Sequence, residues 1–102
     1  MASSKEYLDF VLEQLSGLDG ISFRPMMGEY ILYASGKIIG GIYDDRFLVK
    51  KTPASHTVLS TAEIPYDGAA EMLLVDIENR AAISAMVIEM LPELPEPKKR
   101  RK

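Results

Sequence analysis

Residues 24 to 50, RPMMGEYILYASGKIIGGIYDDRFLVK, place three short apolar runs and two tight-turn signals within 27 residues. Runs this short do not make helices, so the segment dictates an antiparallel meander whose strands pair with their own neighbours. Glu29 to Ala34 and Lys37 to Tyr43 are predicted as a hairpin around Ser35-Gly36, where glycine permits the positive φ of a tight hairpin turn. Asp44-Asp45 supplies a second turn and returns the chain through Arg46 to Lys50. Alternation assigns Phe47 and Val49 to one face and Arg46, Leu48 and Lys50 to the other. Upstream, Ile21 to Met26 reads as a short strand, and Pro25, which has no N–H to donate, places it at a sheet edge or at the strand's end. Gly40-Gly41 in mid-strand predicts a bulge or a close backbone approach.

Helices flank this meander. Leu8, Val11, Leu12, Leu15 and Leu18 recur at spacings of three and four and predict an amphipathic helix over residues 5 to 16. Ser3 with Glu6 has the spacing of a capping box, and Gly17 is expected to supply a left-handed C-terminal cap. Thr52 before Pro53 predicts a short helix from about residue 54. Residues 61 to 71, with Pro65, Asp67 and Gly68, read as a loop, and Met72 to Ile77 as a buried strand. Ile83, Met86, Val87, Met90 and Leu91 mark a second amphipathic helix over Arg80 to Leu91, with Asn79 as its N-cap and Pro92, Pro95 and Pro97 as its stop.

These 102 residues have room for one core. The domain is assigned to residues 1–95 and a disordered basic tail to 96–102, which has no apolar group to bury. The absence of cysteine excludes disulfides and thiol chemistry and suits a reducing cytoplasm, the expected location. No secretory signal or membrane span is expected, because MASSKEYLDF lacks a basic region followed by a long apolar run and no apolar stretch approaches the span length. Of the twelve basic residues five are Lys98, Lys99, Arg100, Arg101 and Lys102, which leaves 7 basic against 15 acidic groups in residues 1–97. A formal −8 body thus carries a +5 tail, and only the tail has the charge to touch nucleic acid, weakly and without sequence preference.

Catalytic chemistry is poorly supplied. His56 is the sole histidine and its neighbour Ser55 points elsewhere on a helical surface, so no activated nucleophile is expected. Asp44 and Asp45 suit a turn better than a metal site, and Gly28, Gly36, Gly40 and Gly41 match neither phosphate-loop fingerprint. No cofactor, metal or small-molecule substrate is expected. Met26 and Met27 are expected to fill core, while Met27, Tyr30, Tyr33 and Tyr43 are the candidates for a protein-interaction patch should one sheet face stay open. Tyr30 and Tyr33 have opposite parity, so at least one of them faces away from the core.

Arg24, Met26, Gly28-Glu29-Tyr30, Leu32-Tyr33, Gly36-Lys37, Gly40, Asp44-Asp45-Arg46 and Lys50, followed by Pro65-Tyr66, Gly68 and Met72 to Asp76, resemble the N-terminal domain of the TfoX/Sxy family, bacterial regulators of DNA-uptake competence. The resemblance implies a fold similar to secretion chaperones, small domains that often dimerise. Larger members carry a second, C-terminal domain with no counterpart in these residues. The expected fold is therefore α+β: an antiparallel sheet of about five strands with N-terminal and C-terminal helices. The expected function is that of a non-catalytic regulatory or protein-interaction domain with an unidentified protein partner. The alternative is a weak nucleic-acid accessory protein that acts through its tail.

Overall fold

The computed structural model describes residues 4–94. Helix α1, Lys5–Gln14, starts where the Ser4 Oγ accepts the Tyr7 N–H at 3.1 Å. The capping pair expected of Ser3 and Glu6 begins outside the described residues. The helix buries Leu8 and Val11 and is capped at Leu15 with φ −98°, so the left-handed cap expected at Gly17 is not formed. The chain turns left-handed only at Gly20, whose C=O is held by the Ser35 N–H at 3.0 Å.

Strands β1, Ile21–Met26, β2, Glu29–Ala34, β3, Lys37–Ile42, and β4, Phe47–Val49, form the meander. Each of its three connections turns on two successive left-handed residues: Met27-Gly28, Ser35-Gly36 and, within Tyr43 to Arg46, Asp44-Asp45. Two successive positive φ values match the right-handed twist of the flanking strands, which is why so compact a meander closes without splaying. The first of these turns was not legible in the sequence. Met27 is a poor turn residue, and only the glycine after it carries a signal. At the third turn Tyr43 and Arg46 exchange both backbone bonds, at 2.9 and 3.0 Å. The bulge predicted near Gly40-Gly41 is present, as a register shift opposite Leu32/Tyr33.

Helix α2, Pro53–Val58, is locked by a capping box in which the Thr52 Oγ1 accepts from the Ser55 N–H and the Ser55 Oγ from the Thr52 N–H. The segment expected to be a loop contains a further strand, β5, Ala62–Glu63; two residues are too few to show any periodicity. Strand β6, Met72–Leu74, inserts between β4 and β5, so the six-stranded antiparallel sheet runs β1-β2-β3-β4-β6-β5. Helix α3, Arg80–Met90, begins at Asn79, whose side-chain oxygen accepts the Ala82 N–H at 3.1 Å, and ends in the short 3-10 turn Leu91–Glu93.

One face of the sheet carries the core. Leu32, Ala34, Ile39, Ile42, Phe47, Val49 and Leu73 meet Leu8, Val11 and Leu15 of α1 and Ile83, Met86, Val87 and Met90 of α3. Leu12, expected within the α1 stripe, is only half-buried at its margin. Leu48 has the opposite parity from Phe47 and Val49, as expected, yet it too is fully buried, outside that core cluster. It stands on the second face, in a register row running Arg24, Ile31, Gly41, Leu48, Leu74. Among the described residues that face is met by the connection between β5 and β6, whose Pro65, Tyr66, Ala69 and Glu71 share a cleft with Ile38, Tyr43 and Lys50. No helix among the described residues is long and apolar enough to cross a membrane.

Candidate protein-docking groove

The second sheet face holds a groove of about 500 Å³. Met26 of β1, Ile31 of β2 and Ile38 of β3 line it, the side chains that strand parity turns away from the helices. Met27 and Glu29 stand at the first turn, and Tyr43, Pro65 and Tyr66 form the opposite wall. Met26 is 50% exposed, Met27 96% and Tyr66 62%, so the expectation that Met26 and Met27 fill core is overturned. The reason is local: a residue at the tip of a two-residue hairpin has no neighbouring strand to pack against, and Met26 sits on the edge strand.

Arg46 builds the far wall. Its Nε donates to the Tyr43 C=O at 3.1 Å, its Nη1 pairs with the Glu63 carboxylate and its Nη2 reaches the Pro65 C=O at 3.4 Å. A planar guanidinium can satisfy three acceptors in fixed directions, and here it ties the β3–β4 turn to the β5–β6 connection. That tie sets the Tyr43 and Tyr66 rings 6.0 Å apart, centroid to centroid, and 55° from parallel. The Tyr43 hydroxyl is held above its ordinary ionisation range, mainly by burial and further by the neighbouring Tyr66 hydroxyl and the Glu29 carboxylate. Glu29 also accepts the Asp44 N–H at 3.0 Å, which fixes its carboxylate near the third turn.

Of the interaction candidates, the structure brings Met27 and Tyr43 to one groove. Tyr33 lies on the same face, opposite Ser22 and Ile38, but outside the groove lining. Tyr30 is not part of it: the ring packs against the core and meets Phe23 edge-on, with centroids 5.8 Å apart. Lys98, Lys99, Arg100, Arg101 and Lys102 lie outside the described residues. Sequence reasoning missed Tyr66, Glu29 and Arg46 as site residues, because their meeting depends on a tertiary tie across 17 to 19 residues. The one local signal was the Pro65-Tyr66 and Gly68 turn, where Ala69 N–H bonds the Tyr66 C=O at 3.1 Å.

Ser55 and His56 do not converge. The Ser55 hydroxyl is buried and donates to the Lys50 C=O at 2.8 Å, while His56 is exposed. Asp44 and Asp45 occupy the left-handed positions of a turn, and the Asp45 carboxylate accepts the Ser4 N–H at 2.8 Å. Among the described residues no three His, Cys, Asp or Glu side chains gather to hold a metal.

Fold and groove together define, among the described residues, a small α+β domain with core helices on one side of its sheet and an apolar channel on the other. The chain belongs to the same family as a 12.7 kDa protein from the trpE 5′ region of Spirochaeta aurantia, described as uncharacterized; the two are 31% identical over 105 residues, covering 99% of this chain and 91% of that protein. No protein-family model matches the chain. No solved structure matches it either.

Proposed function

We propose that the chain is a non-catalytic interaction domain that works in the cytoplasm by protein contact through the groove face, as a regulator of the kind that residues 24–50 and 65–76 resemble. The observation that supports this reading is the gathering of exposed Met26, Met27, Ile38 and Tyr66 around one channel. Apolar surface collected in one place is unfavourable against water, and association removes it. Methionine repacks against differently shaped partners, and tyrosine suits a boundary that is dry on one side and wet on the other. The separation of Ser55 from His56 supports the non-catalytic part, since a nucleophile needs a base within hydrogen-bond reach.

A second reading, weak association with nucleic acid through residues 98–102, is supported by the charge split between tail and body. Affinity capture from the native cell separates the two. The expected result is a protein retained by the full chain and by a chain ending at Pro97 but lost with Ile38→Glu, which charges the groove floor without touching the core. Loss on tail removal, with Ile38→Glu harmless, would sink the groove reading.

A further inference from the structure

The groove's lining specifies more than an apolar partner. Tyr43 and Tyr66 form a tilted aromatic pair with centroids 6.0 Å apart, and both line the channel that Met26, Ile31 and Ile38 floor. A cation is attracted to an aromatic ring when it lies within about 6 Å of the centroid, so a single head group seated at the open edge of this tilted pair reaches both rings. Glu29 lines the same channel, and Asp44 and Asp67 directly follow the two tyrosines in the chain. Residues 4–94 as a whole hold 14 acidic groups against 7 basic ones. Arg46 behind the wall is paired with Glu63, and Arg24, beside Ile31 on the same face, lies outside the lining, so Glu29 and the field of the acidic body favour a positively charged occupant over a negative one. Lys50 and Lys51 line the neighbouring cleft rather than this one, and Lys51 is paired with Glu71 at 3.1 Å.

We propose that the groove takes a cationic-apolar peptide segment, with aliphatic side chains on the Met26–Ile31–Ile38 floor and one lysine or arginine head at the open edge of the Tyr43–Tyr66 pair, on the side of Glu29. A volume of about 500 Å³ suits a few side chains of an extended or helical segment and not a folded domain. The chain's own residues 98–102 meet the charge requirement but have no aliphatic side chains for the floor. The inference rests on the interaction-domain reading and adds the chemistry of the partner.

The test uses the full chain, isotope-labelled, with amide spectra followed during titration with a short leucine–lysine peptide and separately with its leucine–glutamate counterpart. Saturable shifts centred on Met27, Glu29, Tyr43 and Tyr66 are expected with the first peptide and none with the second. Tyr66→Ala, at an exposed loop position, and Glu29→Gln, which keeps an oxygen to accept the Asp44 N–H, should each weaken the lysine peptide by about 3- to 10-fold. Tyr66→Ala leaves the net charge unchanged, so mere attraction to the acidic body would survive it, and undiminished binding by that variant would overturn the proposal. Equal binding of both peptides in the groove would overturn the cation site and leave the interaction-domain reading standing. Self-association of the free chain that is abolished by Ile38→Glu and excludes the peptide would overturn it too, by showing a second copy to be the occupant.

Discussion

Gly40 and Gly41 have no room for a side chain. A β-carbon on Gly40 would strike the Leu48 carbonyl and lie 2.6 Å from the Val49 Cα; one on Gly41 would lie 2.6 Å from the Tyr30 carbonyl and 2.8 Å from the Tyr43 ring. Backbone held in a ladder cannot yield, so Gly40→Ala and Gly41→Ala should each cost about 2–3 kcal/mol in urea denaturation. Gly41→Ala should also displace Tyr43 and with it one wall of the groove. Tyr43 is itself a pH reporter. Its folded pKa lies above the unfolded value of 10.0, so the folded state holds that proton more tightly. The resulting stability is fully present below the unfolded value and is lost as pH rises through the folded one. Burial raises Tyr7 as well, so alkaline difference spectra should show a late tyrosinate phase whose amplitude Tyr43→Phe reduces and part of which Glu29→Gln moves to lower pH. The close approach at both glycines was readable from glycine in mid-strand and the opposed parity of Tyr30 and Tyr33 from alternation, whereas the Tyr43–Tyr66 pair was not readable, because nothing local links residue 43 to residue 66.

The edge strand β1 shows how one residue protects an element. The two-residue turn makes Met26 and Glu29 the closing hydrogen-bonded pair, so Met26, Arg24 and Ser22 direct their backbone groups to β2 while Pro25, Phe23 and Ile21 direct theirs outward. Pro25 thus occupies an outward position, where its missing N–H removes a donor from the free edge and discourages pairing with another chain. Pro25→Val should restore that donor beside exposed Phe23 and Met26, and sedimentation velocity should then show concentration-dependent association absent from the parent chain. The sequence placed this strand, α2 and α3 with their caps, and the central hairpin, since each carries its own periodicity or turn chemistry. It misplaced elements whose limits are tertiary. Helix α1 ends at Gln14 rather than at a Gly17 cap, and Leu12 sits at the margin while Val11 takes the centre. Strand β5 exists only because β6 pairs with it, Ala62 to Leu73 and Glu63 to Met72.

At the scale of the whole molecule, charge and topology make separate statements. Residues 98–102, outside the described region, hold +5 against −8 for residues 1–97. Counterion release favours DNA as their target, but the acidic body repels it, so binding to duplex DNA should be no tighter than roughly micromolar at about 20 mM salt and lost near 150 mM. Titration of the full chain and of a chain ending at Pro97 checks this; binding that survives either the higher salt or loss of the tail would place a nucleic-acid site on the folded body. The order of the strands bears on how the sheet assembles. From β1 to β4 every strand pairs with its sequence neighbour across a tight turn, whereas β6 must return across α2 and β5 to find β4, joining Leu48 to Leu74 and Val49 to Leu73. Short-range closures cost little chain entropy and form within microseconds, while the long return costs more and comes later. The meander is therefore the expected folding nucleus, with high φ-values at Leu32 and Ile42 and low ones at Leu73. The connection that carries Pro65 and Tyr66 would then be among the last segments laid down, so the groove wall is finished only when the rest of the sheet is already closed.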